Sequence, residues 1–399
     1  MPSSTSSSPA PRRKPRVPRN TAAAAPEPSR KRTGVWTRIL HVLLIILCVI
    51  AASALIVTGY AGHLSPIRYG ALWGILPLAF PFALLALILV LALCLFTWRK
   101  AAWIPAATLL ICAGPIWSYC PLNIFDKKIP EGAETFTIMS YNVANLIPRD
   151  SSATRNGMID YILDNRPDIV CIQEAGFFGV NSKSHMTPGQ MDSMHSVYPH
   201  IHFGGRSSQG IFSKYPIQPL HFEVSKNTFP AGDLAAYRVE MPDGRRVTVF
   251  NVHMASYNLN SSDRALYHNL TELQKENIHD VRTQLIHKLK LAAMNRARQT
   301  QQLMRWLRQY GGPDAIVCGD FNDVTGCFAM QTLEDAGFSD VYTHTGFGPM
   351  ITFNDNRFYF CIDHIMYRGD LRPVWLSKGR TKASDHYPLM AEFYIQPDI

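Results

Sequence analysis

Three long apolar stretches near the beginning of the chain most constrain its fold. They comprise residues 39–60, 71–97 and 101–119, and none contains Asp, Glu, Lys or Arg. About 20 apolar residues in a helix cross the roughly 30 Å hydrocarbon core of a bilayer. A cleaved signal peptide is the alternative for the first stretch, but its apolar region would run only about 7–15 residues. We therefore predict a membrane region at residues 35–120 with three transmembrane helices.

The basic residues around these stretches predict the orientation of the chain in the membrane. Residues 1–34 consist mainly of Ser, Pro, Ala, Arg and Lys, so we expect a disordered cytoplasmic tail. An arm that binds nucleic acid or anionic lipid is the alternative. Arg99 and Lys100 form a second basic flank between the second and third stretches. Three spans place both flanks in the cytoplasm and the chain after Cys120 outside it, whereas two spans would reverse this. We expect an integral protein of the plasma or inner membrane, and no protein partner is predicted.

The net charge of +9 belongs to the front of the chain. Residues 1–38 carry a net charge of +8 and residues 39–120 a net charge of +3. Residues 121–399 carry 27 basic and 29 acidic side chains, a net charge of −2. This balance argues against a processive nuclease, whose affinity would come from neutralising many phosphates.

After a linker at residues 121–133, residues 134–399 alternate between extended and helical patterns. The extended runs lie at 135–141, 168–173, 209–212, 247–252, 315–318, 362–366 and 390–394. The helical patterns lie near 152–165, 264–309 and 328–336. This alternation predicts an α/β fold in which helices cover a sheet.

The long connection at 264–309 is predicted to be a helical insertion. We interpret it as a packed surface helix that crosses the sheet. The alternatives are a lid over the site and an arm that rests basic side chains on anionic lipid. The basic side chains in question are Lys288, Lys290, Arg296 and Arg298.

Polar residues gather at six termini of the predicted strands. They are Asn142 and Asn145, Glu174, Asn251 and His253, Asp320, Asn322 and Asp323, Asp363 and His364, and Asp385 and His386. Ligands of open α/β sheets bind beyond the strand ends, although a single Asp or Asn there is more often a turn former. Glu174 follows four apolar residues and one glutamine, and an unpaired carboxylate in that setting is costly unless a divalent cation compensates it. The combined order, N…E…NxH…GDxN…D…SDH, is more specific than any of its parts.

This order of motifs resembles the endonuclease/exonuclease/phosphatase superfamily over about residues 134–396. The most specific pieces are Gly319-Asp320-Phe321-Asn322-Asp323 and Ser384-Asp385-His386-Tyr387-Pro388. The resemblance implies a four-layer α/β sandwich, in which two mixed sheets face each other and are flanked by helices. Here the sandwich would follow the three transmembrane helices, and the site would lie at its top.

The resemblance also implies a role for each strand-end residue. Glu174 resembles the family's divalent-metal ligand, supported by Asn142 and in some members by Asp385. His386 resembles the catalytic imidazole, and Asp363 the carboxylate that orients it. Asp320 resembles the residue that positions or deprotonates the attacking water.

The scissile phosphate would be held by a second set of residues. Asn322 and the pair Asn251 and His253 resemble the groups that bind it, and we also count Asn322 and His253 among the catalytic residues. The implied cofactor is Mg²⁺, with Mn²⁺ as the alternative. Aromatic Phe347 and Phe353, with Arg357, are candidates for the pocket wall, although ordinary packing beneath a loop explains them equally well.

Together these features predict a membrane-tethered, metal-dependent phosphoesterase that hydrolyses a phosphodiester or phosphomonoester by attack of water. A phospholipid or another membrane-proximal phosphate ester is the expected substrate. A nuclease acting on extracytoplasmic DNA or RNA and an enzyme for a small phosphorylated metabolite are alternatives, and a non-catalytic membrane scaffold is the contrasting class. An oxidising compartment would allow a disulfide between Cys327 and Cys361, but the sequence leaves this pairing open.

Overall fold

A computed structural model describes residues 34–125, 127–206, 208–257, 278–355 and 358–396. Residues Leu44–Ile399 form one compact unit, and the residues before Leu44 are not part of it. Three predictions fall outside the described residues. They concern the basic tail up to residue 33, the helical insertion before residue 278, and Arg357.

The apolar stretches are helical, but the second continuous helical stretch begins at Leu76 and not at residue 71, and the third predicted span is broken into two helices. The helices are α1 (Val35–Tyr60), α2 (Pro66–Tyr69), α3 (Phe80–Thr97), α4 (Trp103–Ile111) and α5 (Ala113–Tyr119). Two continuous helical stretches, Val35–His63 and Leu76–Thr97, are long and apolar enough to cross a membrane. The third candidate consists of Arg99–Ile111 and Ala113–Tyr119, which meet at an angle of 63°.

Proline explains why the third candidate span is bent. Pro115 has no N–H to donate to the carbonyl of Ile111, four residues earlier, so the helical hydrogen bond is missing. The hydroxyl of Tyr60 donates to that carbonyl at 2.6 Å instead. A neighbouring helix therefore satisfies the freed carbonyl, which is the usual condition for proline inside a membrane helix.

The described residues after the apolar helices form two six-stranded sheets and a small hairpin. One sheet comprises, in spatial order, Leu371–Lys378 (β13), Leu389–Ile395 (β14), Thr135–Asn142 (β1), Ile169–Gln173 (β2), Gln209–Ser213 (β4) and His200–Gly204 (β3). The other comprises Ile217–Pro219 (β5), Asp233–Glu240 (β6), Arg246–His253 (β7), Ala315–Asp320 (β8), Asp363–Arg368 (β12) and Ser339–Asp340 (β9). The hairpin pairs Phe353–Asp355 (β10) with Phe358–Phe360 (β11). Both sheets are mixed, because β1–β2 and β7–β8 are parallel and the other pairs are antiparallel.

Helices cover the outer faces of both sheets. They are α6 (Gly157–Asn165), α7 (Pro188–Val197), α8 (Ile278–Tyr310) and α9 (Phe328–Glu334). A short helix, α10 (Val341–Thr345), contacts β12 and β13, and its Val341 belongs to the apolar cluster between the sheets. One apolar cluster joins side chains of the two sheets, such as Ile138 and Val249. A second lies beneath α6 and α7, and a third beneath α8 and α9. These clusters separate four layers, so the predicted four-layer sandwich is confirmed.

The two parallel strand pairs bring the polar strand ends to one edge. Asn142 pairs in register with Gln173, which precedes Glu174, and His253 pairs with Asp320. Gly319 makes the second pairing possible. Its φ is 141°, and a Cβ atom there would collide with the carbonyl oxygen of Val252 in the neighbouring strand. The glycine before Asp320 is therefore required by the close approach of β7 and β8.

The helical insertion is packed rather than exposed over its described length. Leu303 and Leu307 of α8 are buried against the second sheet. Arg296 is 2% exposed, so the alternative in which it rests on anionic lipid is wrong, whereas Lys290 and Arg298 are exposed. The disulfide that the sequence left open is not formed, because Cys327 and Cys361 are both free thiols.

Candidate active site

The polar strand ends line one cavity of about 460 Å³. We call it the catalytic pocket. It is lined by Glu174, Ala231, His253, Ser256, Tyr257, Asp320, Asn322, Phe353, Asp355, Phe360, Ile362, Asp385 and His386. Six of the predicted site residues are therefore in its wall. The lining includes acidic and imidazole side chains, and it also includes the apolar side chains of Phe353, Phe360 and Ile362.

Two carboxylates are held together by a single amide. Asn142 Nδ2 donates to Glu174 Oε1 at 3.1 Å and to Asp320 Oδ2 at 3.0 Å. The amide oxygen of Asn142 accepts the N–H of Ala144 at 3.1 Å. Asn142 is 1% exposed and does not line the catalytic pocket. Its contacts make it a residue that positions the two acids.

His386 and Asp363 form a buried imidazole–carboxylate pair. Nδ1 of His386 lies 2.8 Å from Asp363 Oδ2, which leaves Nε2 to face Asp320 Oδ2 at 3.6 Å. Burial by itself would lower the pKa of His386, but the carboxylates of Asp363 and Asp320 outweigh it and raise that pKa to about 10. The two carboxylates therefore favour the protonated imidazole, in which Nε2 is a donor.

Ser384 fixes the loop that carries this histidine. Its hydroxyl donates to the carbonyl of Asn142 at 2.9 Å and accepts the N–H of His386 at 3.2 Å. The Ser-Asp-His motif is thus tied to the end of β1. Asp385, between the two, turns toward the catalytic pocket.

Asp320 lies at the centre of the cluster. Burial raises its pKa to about 6, although the positive charge of His386 opposes this shift. His253 Nε2 lies 3.8 Å from Asp320 Oδ2 and 3.5 Å from Glu174 Oε1. Two overlapping groups have the spacing to hold a metal ion. They are Glu174, His253 and Asp320, and Asp320, Asp363 and His386.

Two site residues adopt a backbone conformation that non-glycine residues rarely use. The φ of Glu174 is 53° and that of Asn322 is 50°. Each follows a buried strand, and Asn322 is stabilised there because its N–H donates to Asp320 Oδ1 at 2.7 Å and its Nδ2 donates to the carbonyl of Met254 at 3.0 Å. Strained residues of this kind cluster at functional sites, where surrounding contacts hold them in place.

Asn251 is buried between the sheets, although the sequence predicts that it binds the phosphate. It is fully buried, and its amide nitrogen donates to the carbonyls of Ile172 and Gly210 at 2.9 and 3.1 Å. Its oxygen accepts from Gln173 Nε2 at 2.7 Å. The side chain therefore links the two sheets and does not line the catalytic pocket. Sequence could not distinguish it from its neighbour His253, which does line it.

Two features of the pocket were missing from the sequence analysis. Tyr257 lines the catalytic pocket, and the guanidinium of Arg296 lies 4.3 Å from the centre of its ring. Arg296 Nε also donates to Asp323 Oδ2 at 2.9 Å. Tyr257 and Arg296 match no motif, and their contacts with Asp323 join residues that are far apart in the sequence. Of the predicted wall residues, Phe353 lies against His386 with ring centres 4.9 Å apart, whereas Phe347 is 65% exposed and outside the pocket.

Several solved structures can be aligned with this chain over most of their own length. Truncated TDP2 from Caenorhabditis elegans is 17% identical, with 65% of this chain and 98% of that chain covered and a TM-score of 0.42. An endonuclease/exonuclease/phosphatase family protein from Bacteroides thetaiotaomicron is 16% identical, with coverages of 66% and 99% and a TM-score of 0.43. ANGEL2, a 2′,3′-cyclic phosphatase, is 17% identical, with coverages of 69% and 100% and a TM-score of 0.41.

Family models match both parts of the chain. Residues 41–119 match a family described as a domain of unknown function. No curated protein matches the chain. Residues 139–386, more than half of the chain and all of the catalytic pocket, match the model described as Endonuclease/Exonuclease/phosphatase family. The chain therefore belongs to the endonuclease/exonuclease/phosphatase family and is a hydrolase that acts on phosphate esters.

Proposed function

We propose that this protein is a membrane-tethered, divalent-metal-dependent phosphoesterase whose catalytic domain lies outside the cytoplasm. The observation that carries the proposal is the convergence of the His386–Asp363 pair, Asp320 and Glu174 on one pocket. Hydrolysis of a phosphate ester needs a group that accepts a proton from water, a donor for the phosphate and compensation of negative charge. The pocket offers residues for each of these tasks.

The donor set fits a hard divalent cation. Glu174 and Asp320 present oxygen atoms that share one amide donor, so two negative charges face each other at close range. Carboxylate oxygens of this kind suit Mg²⁺, with Mn²⁺ as the alternative. We assign Glu174 as the principal ligand, with Asp385, which lines the same pocket, as a further candidate. A bound cation would neutralise charge that develops on the phosphate oxygens.

The side chains of the chain itself supply the proton chemistry. Asp363 holds His386 in the orientation that directs Nε2 into the pocket, where the imidazolium donates to a phosphate oxygen or to the leaving group. Asp320, with its raised pKa, accepts the proton of the attacking water. The second amide hydrogen of Asn322 and the imidazole of His253 hold the remaining phosphate oxygens.

Contacts on one side of the membrane region support the orientation. Gly62, just after α1, packs so closely on the loop before α9 that a Cβ atom would collide with the carbonyl oxygen of Gly326. A Cβ atom on Gly74 would lie 2.7 Å from that of Ala293 in α8. The loop between the first two spans therefore touches the catalytic domain.

The end of the third candidate span touches the same domain. Trp117 Nε1 donates to the carbonyl of Thr343 at 3.2 Å, and Asn123 Nδ2 donates to that of Gly346 at 2.9 Å. If the loop between the first two spans and the end of the third candidate span both lie on the side of the catalytic domain, the chain must cross the membrane a third time after α3. Because the basic flanks stay in the cytoplasm, the catalytic domain would be extracytoplasmic.

An assay of the full chain in lipid nanodiscs tests the function. We expect bis(p-nitrophenyl) phosphate to be hydrolysed with Mg²⁺ and not with EDTA. His386→Ala should lower kcat by about 10²–10⁴-fold, the usual contribution of general acid–base catalysis. His195→Ala, at an exposed histidine outside the pocket, is the matched control. Equal rates in these two variants, or equal rates with EDTA, would refute the proposal. Plasmid DNA tested in parallel would reveal a nuclease.

A reporter tests the orientation separately. A phosphatase reporter that is active only outside the cytoplasm should be active when it is fused after residue 399. Activity restricted to a cytoplasmic reporter at the same position would show that the chain crosses the membrane an even number of times.

A further inference from the structure

An apolar groove lies between the membrane region and the catalytic pocket. One wall consists of Pro77, Leu78, Pro81 and Phe82, at the beginning of the second candidate span. The other consists of residues 349–351, which precede the β10–β11 hairpin, and residues 359–361, which form the end of β11 and the residue after it. The cavity has a volume of about 320 Å³, which is within the range of small-molecule sites. We call it the interfacial groove.

The chemistry of the interfacial groove suits a hydrocarbon chain. Among the described residues that line it, none is Asp, Glu, Lys, Arg or His. Several of its apolar side chains are open to their surroundings, with Phe82 69%, Tyr359 54% and Ile351 39% exposed. An exposed apolar surface of this kind marks a contact with a partner or with lipid.

The interfacial groove adjoins the catalytic pocket. Phe360 lines both cavities, and Phe353 and Ile362 continue the apolar wall into the catalytic pocket. The same pocket carries Asp320 and His386, and Phe353 lies directly against His386. An amphipathic molecule would therefore meet apolar side chains at one end and the catalytic groups at the other.

We propose that the interfacial groove binds an acyl chain of a bilayer phospholipid and that the catalytic pocket receives its headgroup phosphate. This assignment rests on the proposed phosphoesterase function and names its substrate class. The position of the groove identifies the occupant, because its first wall is the start of a membrane span on the side of the catalytic domain. A phospholipid at the bilayer surface reaches this wall without leaving the membrane. An uncharged apolar wall would contribute little to binding a nucleic acid, because proteins bind nucleic acids mainly through basic groups that contact phosphate.

The first experiment compares two substrates in nanodiscs with the full chain. One is a long-chain phosphatidylcholine and the other is water-soluble bis(p-nitrophenyl) phosphate. The variant Ile351→Asp/Tyr359→Asp places charge in the groove and leaves the catalytic side chains unchanged. We expect it to lower kcat/KM for the lipid by about tenfold or more, because the acyl chain loses apolar contacts, while kcat/KM for the soluble diester stays within about twofold.

Val180→Asp is the matched control. Val180 is 53% exposed and lines neither cavity, so this variant should match the wild type on both substrates. Equal effects of the groove variant on the lipid and the soluble diester, or no effect on either, would overturn the acyl-chain assignment. Failure of the wild type to hydrolyse the soluble diester would instead count against the proposed function.

A second experiment needs no catalysis. The full chain in vesicles of phosphatidylcholine with a photoactivatable diazirine in the acyl chain is irradiated and its labelled peptides are mapped. We expect label within residues 349–361, and we expect Ile351→Asp/Tyr359→Asp but not Val180→Asp to reduce it. Label confined to α1 and residues 83–97 of α3, or labelling of 349–361 that the groove variant leaves unchanged, would show that the groove is not occupied by an acyl chain.

Discussion

The ion pair between Arg296 and Asp323 joins helix α8 to the loop that carries the catalytic residues. Arg296 is 2% exposed, and its Nε lies 2.9 Å from Asp323 Oδ2. Its Nη1 donates to the carbonyl of Ala255 at 3.0 Å. Asp323 directly follows Asn322, and Tyr257, which stacks on the guanidinium, lines the catalytic pocket. Removal of the guanidinium should therefore disturb both stability and the site.

Arg296→Met keeps the apolar stem of the side chain but leaves Asp323 as a buried carboxylate without its partner. Breaking a buried pair in this way costs about 3–5 kcal/mol. A domain of this size loses about 2–4 °C of melting temperature per kcal/mol, so we expect a decrease of roughly 6–20 °C. Burial already raises the pKa of Asp323 against the effect of Arg296. Without the arginine that pKa rises further, so protonation at acidic pH should recover part of the lost stability.

Thermal unfolding of the full chain in nanodiscs, followed by tryptophan fluorescence, measures this effect. Arg298→Met, at an exposed position of the same helix, is the matched control and should behave like the wild type. Arg296→Met/Asp323→Asn should regain part of the loss, because no buried charge remains unpaired. If Arg296→Met melts within about 1 °C of Arg298→Met, the pair does not stabilise the domain and the reasoning is wrong.

Three further predictions concern the strand ends. In EDTA at pH 8, Asp320→Asn should melt at a higher temperature than the wild type, because burial raises the pKa of Asp320 to about 6 and penalises its ionised form. This advantage should shrink toward pH 4, where the carboxyl is protonated in the folded protein and increasingly so in the unfolded chain. Gly319→Ala should lower the melting temperature more than Gly244→Ala, since both glycines have positive φ but only Gly319 faces a neighbouring backbone at contact distance. Mg²⁺ at about 100 times its Kd should stabilise the wild type by about 2.7 kcal/mol and Glu174→Gln much less.

Strand-end chemistry was the most predictable part of the site. The strands that lead to Glu174 and Asp320 are apolar runs followed by a polar residue, and parallel pairing brings such ends to one edge. His386 instead precedes β14 and reaches the same edge because β14 pairs antiparallel with β1. Asn251 shows the limit of this reasoning. It lies two positions before His253 and points to the same face of β7, but it lies deeper between the sheets, whereas His253 ends the strand and lines the catalytic pocket.

Parts of the fold without an apolar run were missed. β6 begins with Asp233 and contains two alanines, and β13 contains Pro373, beside which its pairing shifts register. α7 begins with Thr187-Pro188-Gly189, which reads as a turn, but Thr187 and Gln190 form a capping box that starts a helix. The pairing of Arg296 with Asp323 was not predictable from local sequence, because it depends on how α8 crosses the second sheet.

The central claim is that His386 and Asp363 act as one unit with Asp320 on a phosphate ester. The most direct measurement is kcat for bis(p-nitrophenyl) phosphate with Mg²⁺ in His386→Ala, Asp363→Asn and the double variant, all as the full chain in nanodiscs. Residues that act as a unit are strongly non-additive. We therefore expect the double variant to lose about as much kcat as His386→Ala alone. Additive losses, or wild-type kcat in either single variant, would contradict the claim.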